Sequence, residues 1–388
     1  MSGILEHIAK KTKGETYKSF RFCYDKEMGI PSLSYDDHNS YILKRGEIAE
    51  TDKDKKETKN LLDLANFFRK EPPLFKYFLD GSRRVYKIDD IKYQNRLFPV
   101  LGGQIGVACC IRPNREKFDV QLLKRLMVIS LPSLSTNRES HRKQFLQHLI
   151  HEINSQSKIL QKFSLSFDEI LTYNSDEAKK DVEEYFKRGT ATIQDKMIEQ
   201  EKLVVATLAQ EKLLNEDSYL MKDGTLQYSN PPTDSKDLAK YKQNFRCVVG
   251  VSKSFNPELT KDIRSQSNAA KIANLEKGSR TVAYRYSSKV LGEVEYAIWY
   301  ARIREKKHSF SPFAGVLKLE KILVTDSEKE NGIDSDEIDR ITAHIINERN
   351  PVCYGKDERW ANHLYPIYLT ETFIKNKYLS DLHFINLF

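Results

Sequence analysis

Residues 74–82 read Leu74-Phe-Lys-Tyr-Phe-Leu-Asp80-Gly81-Ser82, an apolar run that ends on an acidic residue and a glycine. The alternation predicts a strand, and Asp-Gly is turn chemistry, so the strand is expected to stop there. Two further β segments follow closely. Phe98–Arg112 (FPVLGGQIGVACCIR) is β-like and glycine-spaced, either one long strand or two with a bulge at the glycines. Leu126–Leu131 (LMVISL) reads as a short buried strand. Upstream, Leu61–Phe68 has helical spacing and is stopped by Glu71-Pro72-Pro73. Downstream, a largely helical stretch from about Asn137 to Asn215 contains the best helix of the chain, Gln194–Leu214. A second short strand, Tyr219–Asp223, again closes on Asp-Gly. Strands are then expected at Phe245–Ser252, Ala283–Ser287, Ala297–Ile303 and Phe313–Glu320. Helices are expected at Ser335–Asn347 and about Leu369–Lys377. A β-rich start, a helical excursion and a return to strands predict an α/β fold.

Composition bounds the classes. The 388 residues suggest about two domains, or one large domain with insertions. Lys+Arg 63 against Asp+Glu 55 gives a net charge of +8, which permits a polyanionic partner without requiring one. There is no run of 18 apolar residues, so no membrane span is expected. The opening residues, MSGILEHIAKK, lack the long apolar core of a secretory signal. The five cysteines (23, 109, 110, 247 and 353) show no metal-ligand spacing, which suits a reducing cytoplasm. Collagen-like, membrane, disulfide-stapled and disordered classes are excluded. So are P-loop, GxSxG, HExxH and kinase chemistries, whose motifs are missing.

The chemistry-bearing candidates start with Asp80 and Asp223. An aspartate at the carboxyl end of a strand can face the crevice where α/β sheets place their sites. Two such carboxylates brought together repel unless a cation intervenes, and a hard divalent ion bound by oxygens is one remedy. Each Asp-Gly is equally a plain turn. A third carboxylate would come from the long helix, which offers Glu199, Glu201 and Glu211. Lys253, after the Val248–Ser252 strand, could meet a phosphate or simply be a surface lysine. Arg83-Arg84 could touch a nucleic-acid backbone or be a charged turn. His141, His148 and His151 read as a mixed surface face. Lys44–Lys59 reads as a solvated charge run, and Ile4–Ala9 as an apolar helix face that packs on its own domain or on a partner.

The ordered set FLDGSRR (78–84), an acidic helix, YLMKDGTL (219–226), VVGVSK (248–253) and LYPIYLTETF (364–373) resembles the NurA nuclease family over roughly residues 74–376. The resemblance implies an RNase H-like mixed central sheet flanked by helices. It splits the chain into an N-terminal extension (1–73), a candidate for partner docking, and a nuclease domain (74–388) with a mainly helical insertion at about 132–190. It further implies Mn2+- or Mg2+-dependent cleavage of DNA by a cytoplasmic homodimer that works with a HerA-type hexameric ATPase. Asp80, Glu201 and Asp223 match the family's metal ligands. Lys253 matches the lysine after the central strand, and Tyr365 the tyrosine of the Tyr-Pro motif. Glu201 stands 22 residues before Asp223, about one turn more than usual, which keeps Glu199 in play. The family's histidine eight residues after that tyrosine is Phe373 here, and His363 or His383 would have to fill its space. Two other readings stand beside this one. One is a catalytically weak RNase H-like adaptor on the motor; the other is an RNase H-like nuclease acting on RNA.

Overall fold

The computed structural model describes residues 3–24, 41–53, 58–136, 140–176, 184–228, 234–257, 260, 267–288, 294–306, 311–348 and 361–388. The core of the charge run, residues 54–57, and Cys353 lie outside them. The strands are β1 (Glu15–Tyr17), β2 (Phe22–Cys23), β3 (Tyr41–Ile48), β4 (Thr58–Asn60), β5 (Phe75–Tyr93), β6 (Arg96–Ile111) and β7 (Asp119–Pro132). They continue with β8 (Glu169–Tyr173), β9 (Tyr219–Asp223), β10 (Val248–Ser252), β11 (Ser279–Thr281), β12 (Tyr284–Ser288), β13 (Glu295–Arg302) and β14 (Val316–Ile322). Among the described residues all fourteen join one sheet, with the path β3-β12-β13-β14-β10-β9-β5-β6-β7-β8. β5, β6 and β7 form an antiparallel meander, while β9 runs parallel to β5 and β10 parallel to β9. A meander extended by parallel strands and covered by helices on both faces is an α/β fold with a mixed central sheet flanked by helices, as expected. No described helix is long and apolar enough to cross a membrane.

The pleat sorts the side chains. On one face Leu79, Val107 and Leu220 pack against Val204, Val205 and Leu208 of the long helix Glu184–Gln210. On the other, Phe78, Met221 and Val251 pack with Ile338 and Ile341 of the Ser335–Ile346 helix and with Ile367 of the Tyr365–Lys375 helix. A third cluster joins Ile4, Leu5 and Ile8 of the first helix (Ile4–Thr12) to Tyr86, Ile153 and Phe384, so that helix spends its apolar face within the chain. Segments before residue 74 also pair into the sheet: β1 and β2 on β5, β3 on β12, and β4 on β11.

Several element expectations need correction. β5 does not stop at Asp80-Gly81: it runs on to Tyr93, 19 residues in all, with Asp80 opposite Ala108 and Gly81 opposite Val107. β6 is one strand, and the β5–β6 irregularity falls between Lys87 and Asp89, on β5 and not at the β6 glycines. The LMVISL segment is the end of a 14-residue strand. The helical stretch after residue 137 is interrupted by β8, which pairs in parallel with β7. Arg83 and Arg84 lie within β5, not in a turn. Arg83 donates to Gln194 at 2.5 Å, and Arg84 pairs with Asp381 at 3.3 Å while stacking over Tyr378.

Candidate active site

Parallel pairing of β5 with β9 sets the geometry. Leu79 pairs with Lys222, which places Asp80 and Asp223 one step further along, on the opposite side of the pleat. Both aspartates therefore face the side carrying the Tyr365–Lys375 helix. Asp80 is buried, while Asp223 is half-buried at the strand end. β10 continues the parallel set and delivers Lys253 just beyond its end, 2.9 Å from Asp223. Asn362 fixes that lysine's backbone by donating to the Lys253 carbonyl at 2.6 Å.

The two Asp-Gly pairs turn out to differ. Gly224 has φ +78°, a left-handed conformation at which β9 ends, its N–H donating to the Val251 carbonyl at 2.9 Å. Gly81 sits in extended backbone, and its role is space. A Cβ at 81 would collide with Glu201 Oε1 and stand 3.1 Å from Glu201 Cδ. The long helix thus lays the Glu201 carboxylate over the backbone next to Asp80. Glu201 is buried and pairs with Lys222 at 3.2 Å. Lys222 also donates to the Asp223 carbonyl at 2.6 Å. Glu199, in contrast, is exposed and pairs with Lys196. Glu201, not Glu199, is the helix glutamate at this site.

From this geometry we expect Gly81→Ala to fold, since the clash is with the tip of a flexible side chain, and to displace the Glu201 carboxylate. If Glu201 serves the chemistry, activity should fall on the order of 100-fold, because small misplacements carry large costs. Unchanged turnover with an unchanged melting temperature would remove Glu201 from the site.

Glu371, which the sequence reading did not single out, and His363, one of its two candidates for the place of the family histidine, complete the cluster. Glu371, half-buried on the Tyr365–Lys375 helix, lies 3.9 Å from Lys253, and its Oε2 is 2.9 Å from His363 Nε2. His363 Nε2 is also 3.2 Å from Lys253 Nζ, so His363 does occupy this space. Phe373 is instead half-buried beneath Lys377, whose ammonium sits 5.2 Å from the ring centroid. Tyr365 opens the helix ahead of Pro366 and is 40% exposed, its ring 6.2 Å from that of Tyr368. It makes no contact with the carboxylates among the described residues.

Electrostatics mark the place. Burial, and then the neighbouring Asp223, push the Asp80 carboxyl well above the usual range, against the pull of Lys253. No hydrogen bond relieves it among the described residues. Burial also raises Glu201, although Lys222 works against the shift. Burial acts to raise Glu371 as well, but the hydrogen bond from His363 and the charges of Lys253 and Lys375 outweigh it and hold it low. For Lys253 burial favours the neutral form, yet Asp223, Glu371 and Asp80 together keep it firmly protonated.

The set therefore gathers four carboxylates, Asp80, Glu201, Asp223 and Glu371, against three ammonium groups, Lys222, Lys253 and Lys375. As placed, no three His, Cys, Asp or Glu side chains among the described residues stand close enough together to hold a metal ion. Donor type and charge do fit a hard divalent cation. The groups are carboxylate oxygens, they outnumber their counter-charges, and Asp80 carries a buried repulsion that a cation would relieve.

No protein-family model matches the chain, and no curated protein matches it. Among solved structures it is similar to the crystal structure of the NurA nuclease from Sulfolobus solfataricus, at 9% identity and a TM-score of 0.41, over 84% of this chain and 90% of that one. At that score the fold and the site rest on this chain's own strand order and side chains.

Proposed function

We propose that the chain is a divalent-metal-dependent deoxyribonuclease of the NurA kind. In this reading it is a homodimer that works with a HerA-like hexameric DNA-translocating ATPase in DNA end processing or anti-phage defence. The observation that carries the reading is the pairing of buried Asp80 with half-buried Asp223, side by side on adjacent parallel strands with Lys253 at their rim. The order of the sequence motifs supports it.

In this reading Asp80 and Asp223 would hold Mn2+ or Mg2+ on one face of the sheet, while Glu201, the expected third ligand, stands across the sheet against Lys222. When bound, such ions supply Lewis acidity at the phosphoryl oxygens and lower the pKa of water. Lys253, held protonated, would offset the charge growing on the scissile phosphate. Tyr365, exposed at the helix start, would contact the phosphate or a water beside it. Backbone contacts from the basic excess read no sequence, so DNA binding should weaken steeply with salt.

The adaptor reading has one observation in its favour. Lys222 already neutralises Glu201, and Lys253 already neutralises Asp223. The test mixes the purified chain with linear DNA, circular DNA and RNA in Mn2+, with and without the ATPase. Chelator-sensitive loss of DNA, spared by Asp80→Ala, is expected. Intact DNA in every arm, despite a stable complex with the ATPase, would leave the adaptor. Degradation of RNA alone would move the substrate class.

A further inference from the structure

The pleat divides the four carboxylates. Asp80 and Asp223 lie on the face carrying the Tyr365–Lys375 helix, whereas Glu201 approaches from the long helix across the sheet and is held by Lys222. Glu371 comes from the helix on the aspartates' own face. It shares Lys253 with Asp223, at 3.9 Å and 2.9 Å. His363 Nε2 fixes one of its oxygens at 2.9 Å. We propose that Glu371 is a metal-binding carboxylate of this site, supplied on the face of Asp80 and Asp223 by the helix in which Phe373 stands. The proposal rests on the metal-dependent reading above.

Independent observations point the same way. Asp80 is buried, and its side chain lies on the face of the sheet that carries the Glu371 helix. The Glu371 carboxylate is half-buried, and a neighbouring imidazole orients it, as outer partners orient metal ligands. A plain surface ion pair with Lys375 would explain neither the contact with His363 nor the shared lysine.

The test is calorimetric titration of Mn2+ into the full chain without DNA, with the melting temperature of each variant as a check on folding. Glu371→Gln should weaken Mn2+ binding about tenfold or more, as Asp80→Asn does. Glu199→Gln, at an exposed glutamate that pairs with Lys196 outside the site, should bind Mn2+ as the wild type does. If Glu371→Gln folds poorly, Glu371→Asp keeps the charge, shortens the reach and should still weaken binding. Wild-type Mn2+ affinity in Glu371→Gln, with affinity lost in Asp80→Asn, would overturn this assignment and leave the nuclease reading standing. A wild-type chain that binds no Mn2+ would overturn both.

Discussion

Asp80→Asn is expected to abolish DNA cleavage and, at neutral pH, to raise the melting temperature. The loss of activity should be at least about 100-fold, the scale on which removal of one group that stabilises transition-state charge is felt. The gain in stability follows from the site's unrelieved repulsion. Asp80 is buried beside Asp223, has no hydrogen-bond partner among the described residues, and its carboxyl is pushed well above the ordinary range. An acid whose folded pKa lies above its unfolded value of about 3.9 contributes stability that is fully present below that value. The contribution is lost as pH rises through the folded pKa. At neutral pH the wild type therefore carries a penalty that the amide does not. The difference in melting temperature should be widest at neutral to alkaline pH and should close below about pH 4. A variant that is inactive and also less stable at pH 7.5 would contradict this picture of the site. Residues that lower stability in the resting fold are expected where function demands them.

The largest effect on stability is expected elsewhere, at Arg280. Its guanidinium grips Glu50 with two nitrogens, at 3.0 Å and 2.8 Å, and Asp339 with a third at 2.6 Å. All three side chains are almost fully buried. Glu50 also accepts from the Ala283 N–H at 2.7 Å, and Lys59 reaches Asp339. This network ties the segment before β4 to β11, to the start of β12 and to the Ser335–Ile346 helix. Arg280→Ala would leave buried Glu50 without its charged partner and Asp339 with Lys59 alone, and breaking a buried pair in that way costs about 3–5 kcal/mol. Arg280→Lys should rescue only part of it, because an ammonium cannot reproduce the forked contacts. Urea unfolding of the three proteins measures this directly. A loss under about 1 kcal/mol in Arg280→Ala would mean that the cluster is well hydrated and contributes little.

Legibility in the sequence followed the physics residue by residue. β9, β10 and the helix that carries Glu201 could be read because each has a strong apolar pattern within a few residues. The length of β5 could not. Asp-Gly is turn chemistry in general, and only the tertiary placement of Glu201 over Gly81 shows that this glycine supplies room and not a bend. Gly224, with the same dipeptide, behaves as the local rule says. Asp80, Asp223 and Lys253 stood out because they end or follow apolar runs. Glu371 did not, since a glutamate four residues before a lysine on a helix looks like an ordinary surface pair. Lys222 was hidden for a similar reason: inside a strand its burial depends on which face meets the long helix, and one sequence does not show that. The alternation along β5 and β9, combined with parallel pairing, would have predicted that Asp80 and Asp223 share a face. It would not have predicted that Glu201 is held by a lysine on the other.

The most direct test of phosphodiester hydrolysis at this site is cleavage of linear DNA in Mn2+ in water enriched with oxygen-18, followed by mass analysis of the product ends. A nuclease of the proposed kind should place one oxygen-18 on the terminal phosphate formed at each cut. No product should form with chelator or with Asp80→Asn. Uncut DNA in the presence of Mn2+ and the ATPase, or cut ends without the heavy oxygen, would contradict the assignment.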